Sequence, residues 1–83
     1  MASKVSYKAS VAADLRRLDK AVAQRVLDKL ERALAQNPDA GVPLAGEFRG
    51  LFKYRVGDYR VIYTKVSGGV LVLRIGHRKD VYR

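Results

Sequence analysis

From Leu51 to Tyr63 the chain alternates between two kinds of position. Phe52, Tyr54 and Val56, then Tyr59, Val61 and Tyr63, are aromatic or β-branched, and Lys53, Arg55, Arg60 and Ile62 fill the places between them. A period of two marks β-strands, and Gly57-Asp58 between the halves is a two-residue hairpin signal. That turn sets Val56 opposite Tyr59, Arg55 opposite Arg60 and Lys53 opposite Ile62. Directly opposed residues share a face, so six apolar side chains go one way and three cations the other. Upstream, Val5 and Tyr7 alternate with polar neighbours and predict a short strand ending near Ala9. Ser10 is a candidate N-cap, after which Val11, Leu15 and Leu18 recur at helical spacing. Asp19 can cap a second helix bearing Val22, Val26, Leu27, Leu30 and Leu34 on one stripe. The outer faces of this helical hairpin mix Arg16, Arg17, Arg25, Lys29 and Arg32 with Asp14, Asp28 and Glu31, a pattern of solvated surface. Asn37-Pro38 stops the second helix, because proline disfavours helix in the residue before it.

Residues 38–50, with Pro38, Gly41, Pro43, Gly46 and Gly50, form an irregular connection back to the sheet. Beyond the hairpin, the strand of Tyr59 to Val66 is followed by Ser67-Gly68-Gly69 and by Val70 to Ile75. A three-residue loop would oppose Val66 to Val70, Tyr63 to Leu73 and Ile62 to Arg74. It would turn Leu71, Leu73 and Ile75 inward and add Arg74 to the cationic face. The element order β-α-α-β-β-β predicts an α+β fold: an antiparallel sheet with the helical hairpin on one face and an open basic face on the other.

Length adds that residues 1–83 make a single domain with one modest core. With no cysteine there is no disulfide framework, thiolate metal site or thiol nucleophile. His77 is the lone histidine, so no metal or cofactor is expected. The absence of a signal-peptide core and of any long apolar run predicts a cytoplasmic protein with no membrane partner. Charge changes the picture most. The net +9 points to a polyanion such as nucleic acid, and it is uneven: residues 1–48 hold 8 basic and 6 acidic side chains, residues 49–83 hold 9 and 2.

The cationic face, with Lys53, Arg55, Arg60 and Arg74, and with His77, Arg78 and Tyr82 just beyond the last strand, offers phosphate contacts and a ring for stacking on an unpaired base. It lacks a carboxylate: Asp58 lies in a turn and Asp80 on the terminal segment. A two-metal nuclease site or a paired-carboxylate hydrolase is therefore disfavoured. RNA cleavage by its own 2′-hydroxyl needs no metal. It needs a base, stabilisation of the phosphorane charge and an acid for the leaving oxygen. Arginine is too weakly acidic to serve as base, Lys53 among cations is a candidate, and His77 is the natural acid.

The run Leu44-Ala45-Gly46-Glu47-Phe48-Arg49-Gly50-Leu51-Phe52-Lys53-Tyr54-Arg55-Val56-Gly57-Asp58-Tyr59-Arg60-Val61-Ile62-Tyr63, with Ile75-Gly76-His77-Arg78-Lys79-Asp80-Val81-Tyr82 after it, closely resembles the RelE branch of the RelE/ParE toxin superfamily. The resemblance covers the whole chain. It implies an mRNA interferase that enters the ribosomal A site, cuts the codon there and is held inactive by a cognate antitoxin. By position, Lys53, Arg55 and Arg60 match the family's basic strand residues, Arg78 the arginine after the last strand, and Tyr82 the base-stacking tyrosine. His77 falls where members vary between lysine and histidine. Arg74, Lys79 and Arg83 are further candidate RNA contacts. The glutamate base of one branch of the superfamily is absent, which leaves the proton acceptor open. Two other readings share the fold: a ParE-like toxin that inhibits DNA gyrase by binding, and an RNA-binding module without catalysis.

Overall fold

The computed structural model describes residues 3–77. Strand β1 (Lys4–Tyr7) leads into helices α1 (Ala9–Arg16) and α2 (Lys20–Gln36). A two-residue edge strand β2 (Val42–Pro43) and a short 3-10 turn (Gly46–Phe48) follow, then β3 (Leu51–Val56), β4 (Tyr59–Val66) and β5 (Gly69–His77). The strands form one sheet in the order β1-β5-β4-β3-β2. Pairs β2–β3, β3–β4 and β4–β5 are antiparallel, whereas β1 runs parallel to β5. The sheet is therefore mixed, where the hairpin signals predict antiparallel pairing throughout. No tight turn links β1 to β5, and parallel neighbours require a long crossover. The direction of a four-residue strand at the far end of that crossover has no local signal. Pro43, which lacks a donor, stands on the edge strand, where proline is tolerated.

The β3–β4 hairpin has the predicted register, with Val56 paired to Tyr59, Arg55 to Arg60 and Lys53 to Ile62. Gly57 takes φ 60° and among the described residues no non-glycine residue has positive φ, so the turn needs the left-handed region only at its first central position, where glycine stands. The next connection differs from expectation. Val66 pairs with Gly69, leaving a two-residue loop, Ser67-Gly68. Gly69 enters the ladder because β1 lies tight against it: a Cβ there would fall 1.9 Å from the Lys4 carbonyl oxygen. Such a loop reverses the parity of β5, so Val70 and Val72, both 0% exposed, face the core instead of Leu71 and Leu73. An irregularity then shifts the register. Tyr63 pairs with Val72 and Ile62 with Arg74, leaving Leu73 as the extra residue. A bulge of this kind turns the strand's faces over once more, which restores Ile75 to the core.

One core lies between the helices and the sheet. Val11 of α1 and Val26, Leu30 and Leu34 of α2 pack on Val56, Val61, Tyr63, Val70, Val72 and Ile75. The α2 residues are at the 26-30-34 spacing that puts one apolar stripe on a helix face. Asp19 occupies the N-cap of α2 but makes no side-chain cap bond. Ser10 lies inside α1, whose N-cap is Lys8, and its hydroxyl donates instead to the Leu73 carbonyl at 2.9 Å.

Asp14 is the main departure from the predicted helix surface. It is 6% exposed, the buried charged side chain among the described residues. Its carboxylate accepts from Arg74 Nε at 2.9 Å, from Arg74 Nη2 at 3.1 Å and from the Ile75 N–H at 3.0 Å. The connection after α2 is held by another buried polar group. Tyr63, 0% exposed, donates its hydroxyl proton to the Pro38 carbonyl and accepts from the Gly41 N–H, each at 2.8 Å. A side chain on Gly41 would begin 2.6 Å from that hydroxyl. Burial raises the Tyr63 phenol above its ordinary pKa. Tyr63→Phe strands the Gly41 N–H and Pro38 carbonyl, and it should cost about 1–3 kcal/mol of unfolding free energy. Urea denaturation should show a lower midpoint with unchanged m.

Candidate nucleic-acid interface

The alternation of β3 and β4 builds the site. With Tyr54, Val56, Tyr59 and Val61 turned toward the helices, Lys53, Arg55 and Arg60 project from the opposite, uncovered face. Arg55 and Arg60 are directly opposed, and Lys53 lies between Ile62 of β4 and Val42 of β2. Arg55 Nε donates to the Gly57 carbonyl at 2.9 Å, which ties this guanidinium to the hairpin turn. A groove of about 390 Å³ is lined by Ala40, Val42, Lys53, Tyr54, Arg55 and Arg60. Among the described residues the ion pairs are Lys65–Asp39 and Arg74–Asp14, so no carboxylate offsets Lys53, Arg55 or Arg60. The face also holds apolar surface: Ile62 is 6% exposed although it points away from the helices. Lys53 and Arg74 flank it across the sheet, and long cationic side chains commonly cover apolar neighbours with their stems.

Two predicted members of this face are placed elsewhere. Arg74 has the backbone position expected of it, beside Ile62, but its guanidinium turns round the strand edge to Asp14. That neighbour raises its pKa further. His77 is the last residue of β5 and pairs with Tyr59, so it shares the helix side of the sheet, not the side of Lys53. Its ring meets Tyr59 edge-on, with centroids 5.9 Å apart. Both line a cleft of about 240 Å³ with Asp14, Arg17 and Leu18. The structure thus brings Lys53, Arg55 and Arg60 together and separates His77 and Arg74 from them. Arg78, Lys79, Tyr82 and Arg83 lie outside the described residues.

Asp14 is the residue that reading the sequence missed. The signal was present: positions 11, 14, 15 and 18 form one i, i+3, i+4, i+7 stripe, so an acid at 14 falls among apolar neighbours and requires a buried partner. Among the described residues no group of three or more His, Cys, Asp or Glu side chains could hold a metal ion. No helix there is long and apolar enough to cross a membrane.

Residues 5–82 match the family model described as the ParE toxin of the type II toxin–antitoxin system parDE. The chain belongs to that family, within the RelE/ParE superfamily. It is similar to two toxins of Mycobacterium tuberculosis. Toxin RelE is 35% identical over 82 residues, covering 95% of this chain and 84% of that protein. Toxin RelG is 32% identical over 82 residues, covering 95% and 94%. Among solved structures, the toxin–antitoxin complex RelBE2 of the same organism aligns with TM-score 0.87 and 28% identity over 94% of this chain and 100% of that one. The protein is thus a toxin of the type II class, and its fold is that of RelE toxins.

The opposed arginines cost this toxin stability, a cost that a bound anion would offset. Like charges directly opposite on a sheet are destabilising. Arg55→Thr should therefore raise unfolding free energy by roughly 0.2–1 kcal/mol. The same change should weaken binding to single-stranded RNA and, where one phosphate contact is lost, flatten the log K against log salt slope by about 0.7. Thermal melts and a salt titration of binding read the two effects separately.

Proposed function

We propose that this toxin is a ribosome-dependent mRNA endoribonuclease that cuts A-site codons through the substrate's own 2′-hydroxyl. The observation that carries the reading is the groove in which Lys53, Arg55 and Arg60 converge without a neutralising carboxylate. The similarity to Toxin RelE supports it. In this reaction the 2′-oxygen attacks phosphorus, its proton passes to a base, and the bond to the 5′-oxygen breaks as that oxygen takes up a proton. A 2′,3′-cyclic phosphate and a 5′-hydroxyl result. The directly opposed Arg55 and Arg60 hold the scissile phosphate and stabilise the extra charge of the phosphorane. Lys53, beside them, is the candidate proton acceptor. His77 faces the helix side and is given no proton transfer with Lys53. Arg78 and Tyr82 keep the phosphorane-stabilising and base-stacking roles that the resemblance to the RelE branch implies.

The partner we propose is a cognate antitoxin, a reading supported by the similarity to the RelBE2 toxin–antitoxin complex. A segment bringing acidic and apolar groups would satisfy both the cations and the apolar surface around Ile62. The second reading, inhibition of DNA gyrase by binding, draws its support from the family model, which is named for ParE. Purified toxin assayed with programmed ribosomes, with free mRNA and with gyrase separates the two. Cleavage on ribosomes with supercoiling unaffected is the expected result. Loss of supercoiling with no cut would replace the proposal by the gyrase reading.

Within the cleavage assay, Tyr82→Ala should lose roughly 1–3 kcal/mol of substrate interaction, and Tyr82→Phe should keep most of it because the ring is retained. Equal inactivity of the two would assign the role to the hydroxyl instead.

A further inference from the structure

Strand β5 is nine residues long, but β1 covers only Gly69 to Val72. From Leu73 onward no strand among the described residues lies beside that edge. Helix α1 and its N-cap Lys8 supply partners there. The Lys8 N–H donates to the Val72 carbonyl at 2.9 Å, the Ser10 hydroxyl donates to the Leu73 carbonyl at 2.9 Å, and the Asp14 carboxylate accepts from the Ile75 N–H at 3.0 Å. The same carboxylate holds the Arg74 guanidinium at two points. One buried side chain therefore binds both the backbone and a side chain of consecutive β5 residues.

Packing alone does not require an acid there. Val11, Leu15 and Leu18 continue the apolar stripe of α1 on either side of position 14, and Arg74, whose side chain is 42% exposed, can turn to water when the acid is removed. A leucine would fill the stripe but leave the Ile75 N–H unpaired and β5 untied on that edge. What the carboxylate adds is position. His77 follows Ile75 by two residues, with side-chain-free Gly76 between them, and in sequence the chain then continues to Arg78 and Tyr82.

We propose that Asp14 is a positioning residue for the toxin's chemistry: by tying the end of β5 to α1 it sets the point from which the chain enters the segment bearing Arg78 and Tyr82, without itself touching substrate. This rests on the nuclease reading above. Misplacing a reacting or charge-stabilising group by about an ångström can cost on the order of 100-fold in rate, so the effect falls on turnover.

The test compares wild type with Asp14→Leu and Asp14→Asn in single-turnover and steady-state cleavage of mRNA on programmed ribosomes, alongside amide exchange at Ile75 and His77 and thermal melts. Asp14→Leu should stay folded, lose exchange protection at Ile75, and drop kcat on the order of 100-fold with KM held within about twofold. Asp14→Asn still offers Ile75 an acceptor but not the charge that holds Arg74, and it should fall between. A folded Asp14→Leu toxin with wild-type kcat overturns the proposal, as does a loss of activity that only tracks the folded fraction. Removing an acid also makes the protein more positive, so a change confined to KM would assign Asp14 to long-range electrostatics and overturn it too. Should neither variant fold, Arg74→Lys, which keeps the ion pair but loses the two-point fork, carries the test: reduced kcat at constant KM supports positioning, and wild-type kcat overturns it. Wild-type toxin that cuts nothing on ribosomes overturns the nuclease reading and the catalytic role of Asp14 with it. Exchange at Ile75 reports independently whether the tie itself exists.

Discussion

The register of the β3–β4 hairpin is the constraint from which the rest of the molecule follows. Gly57 at positive φ closes the turn in two residues and leaves Val56 opposite Tyr59. A slip by one residue would exchange the two faces, putting Lys53, Arg55 and Arg60 against the helices and Val61 and Tyr63 into water. Burying three unpaired cations would cost far more than any turn preference contributes. Core formation and exposure of the cationic groove are thus one event: the packing of Val61 and Tyr63 under α2 holds the arginines in register on the other side. The repulsion between Arg55 and Arg60 is small beside the burial that enforces it.

A second tie joins the helical layer to β5. Asp14 accepts three hydrogen bonds at the edge of β5, two of them from the charged Arg74 guanidinium. Such a group stabilises only while its partner is in place, and because the Arg74 side chain is 42% exposed, loss of the carboxylate leaves no cation buried. Its effect on the surface is equally direct. It withdraws Arg74 from the cationic face, so the groove consists of Lys53, Arg55 and Arg60. The helix side of the β4–β5 pair carries a different set, Tyr59 and His77 beside Arg17.

Fold and function are separate questions for this chain. This chain matches a family model named for ParE and is similar to a toxin named for RelE. Architecture therefore does not choose between cutting RNA and binding a protein target. The choice rests on the groove, where a metal-independent phosphoryl transfer asks for cations around one phosphate and a proton acceptor among them. Placing His77 on the other face removes the histidine that would most simply complete an acid–base pair with Lys53, so charge stabilisation becomes the larger share of the proposed catalysis.

What the sequence determined by itself was whatever a short-range pattern controls. The alternation of residues 51–63 with Gly57-Asp58 specified the hairpin, its register and its cationic face, and the 26-30-34 spacing and Asn37-Pro38 specified the buried stripe and end of α2. Each rests on backbone geometry within a few residues. Tertiary structure decided the rest. The parallel pairing of β1 with β5 joins segments some 65 residues apart, with no turn to fix their direction. The approach of Lys4 to Gly69 shortened the next loop to two residues, and the irregularity at Leu73 restored Ile75 to the core; either change alone would have reversed its face. Asp14 stood on the apolar stripe of α1 in plain view, but its meaning depended on Arg74, 60 residues away. Only folding brings that cation to the buried end of the helix, where an isolated carboxylate would be too costly to keep.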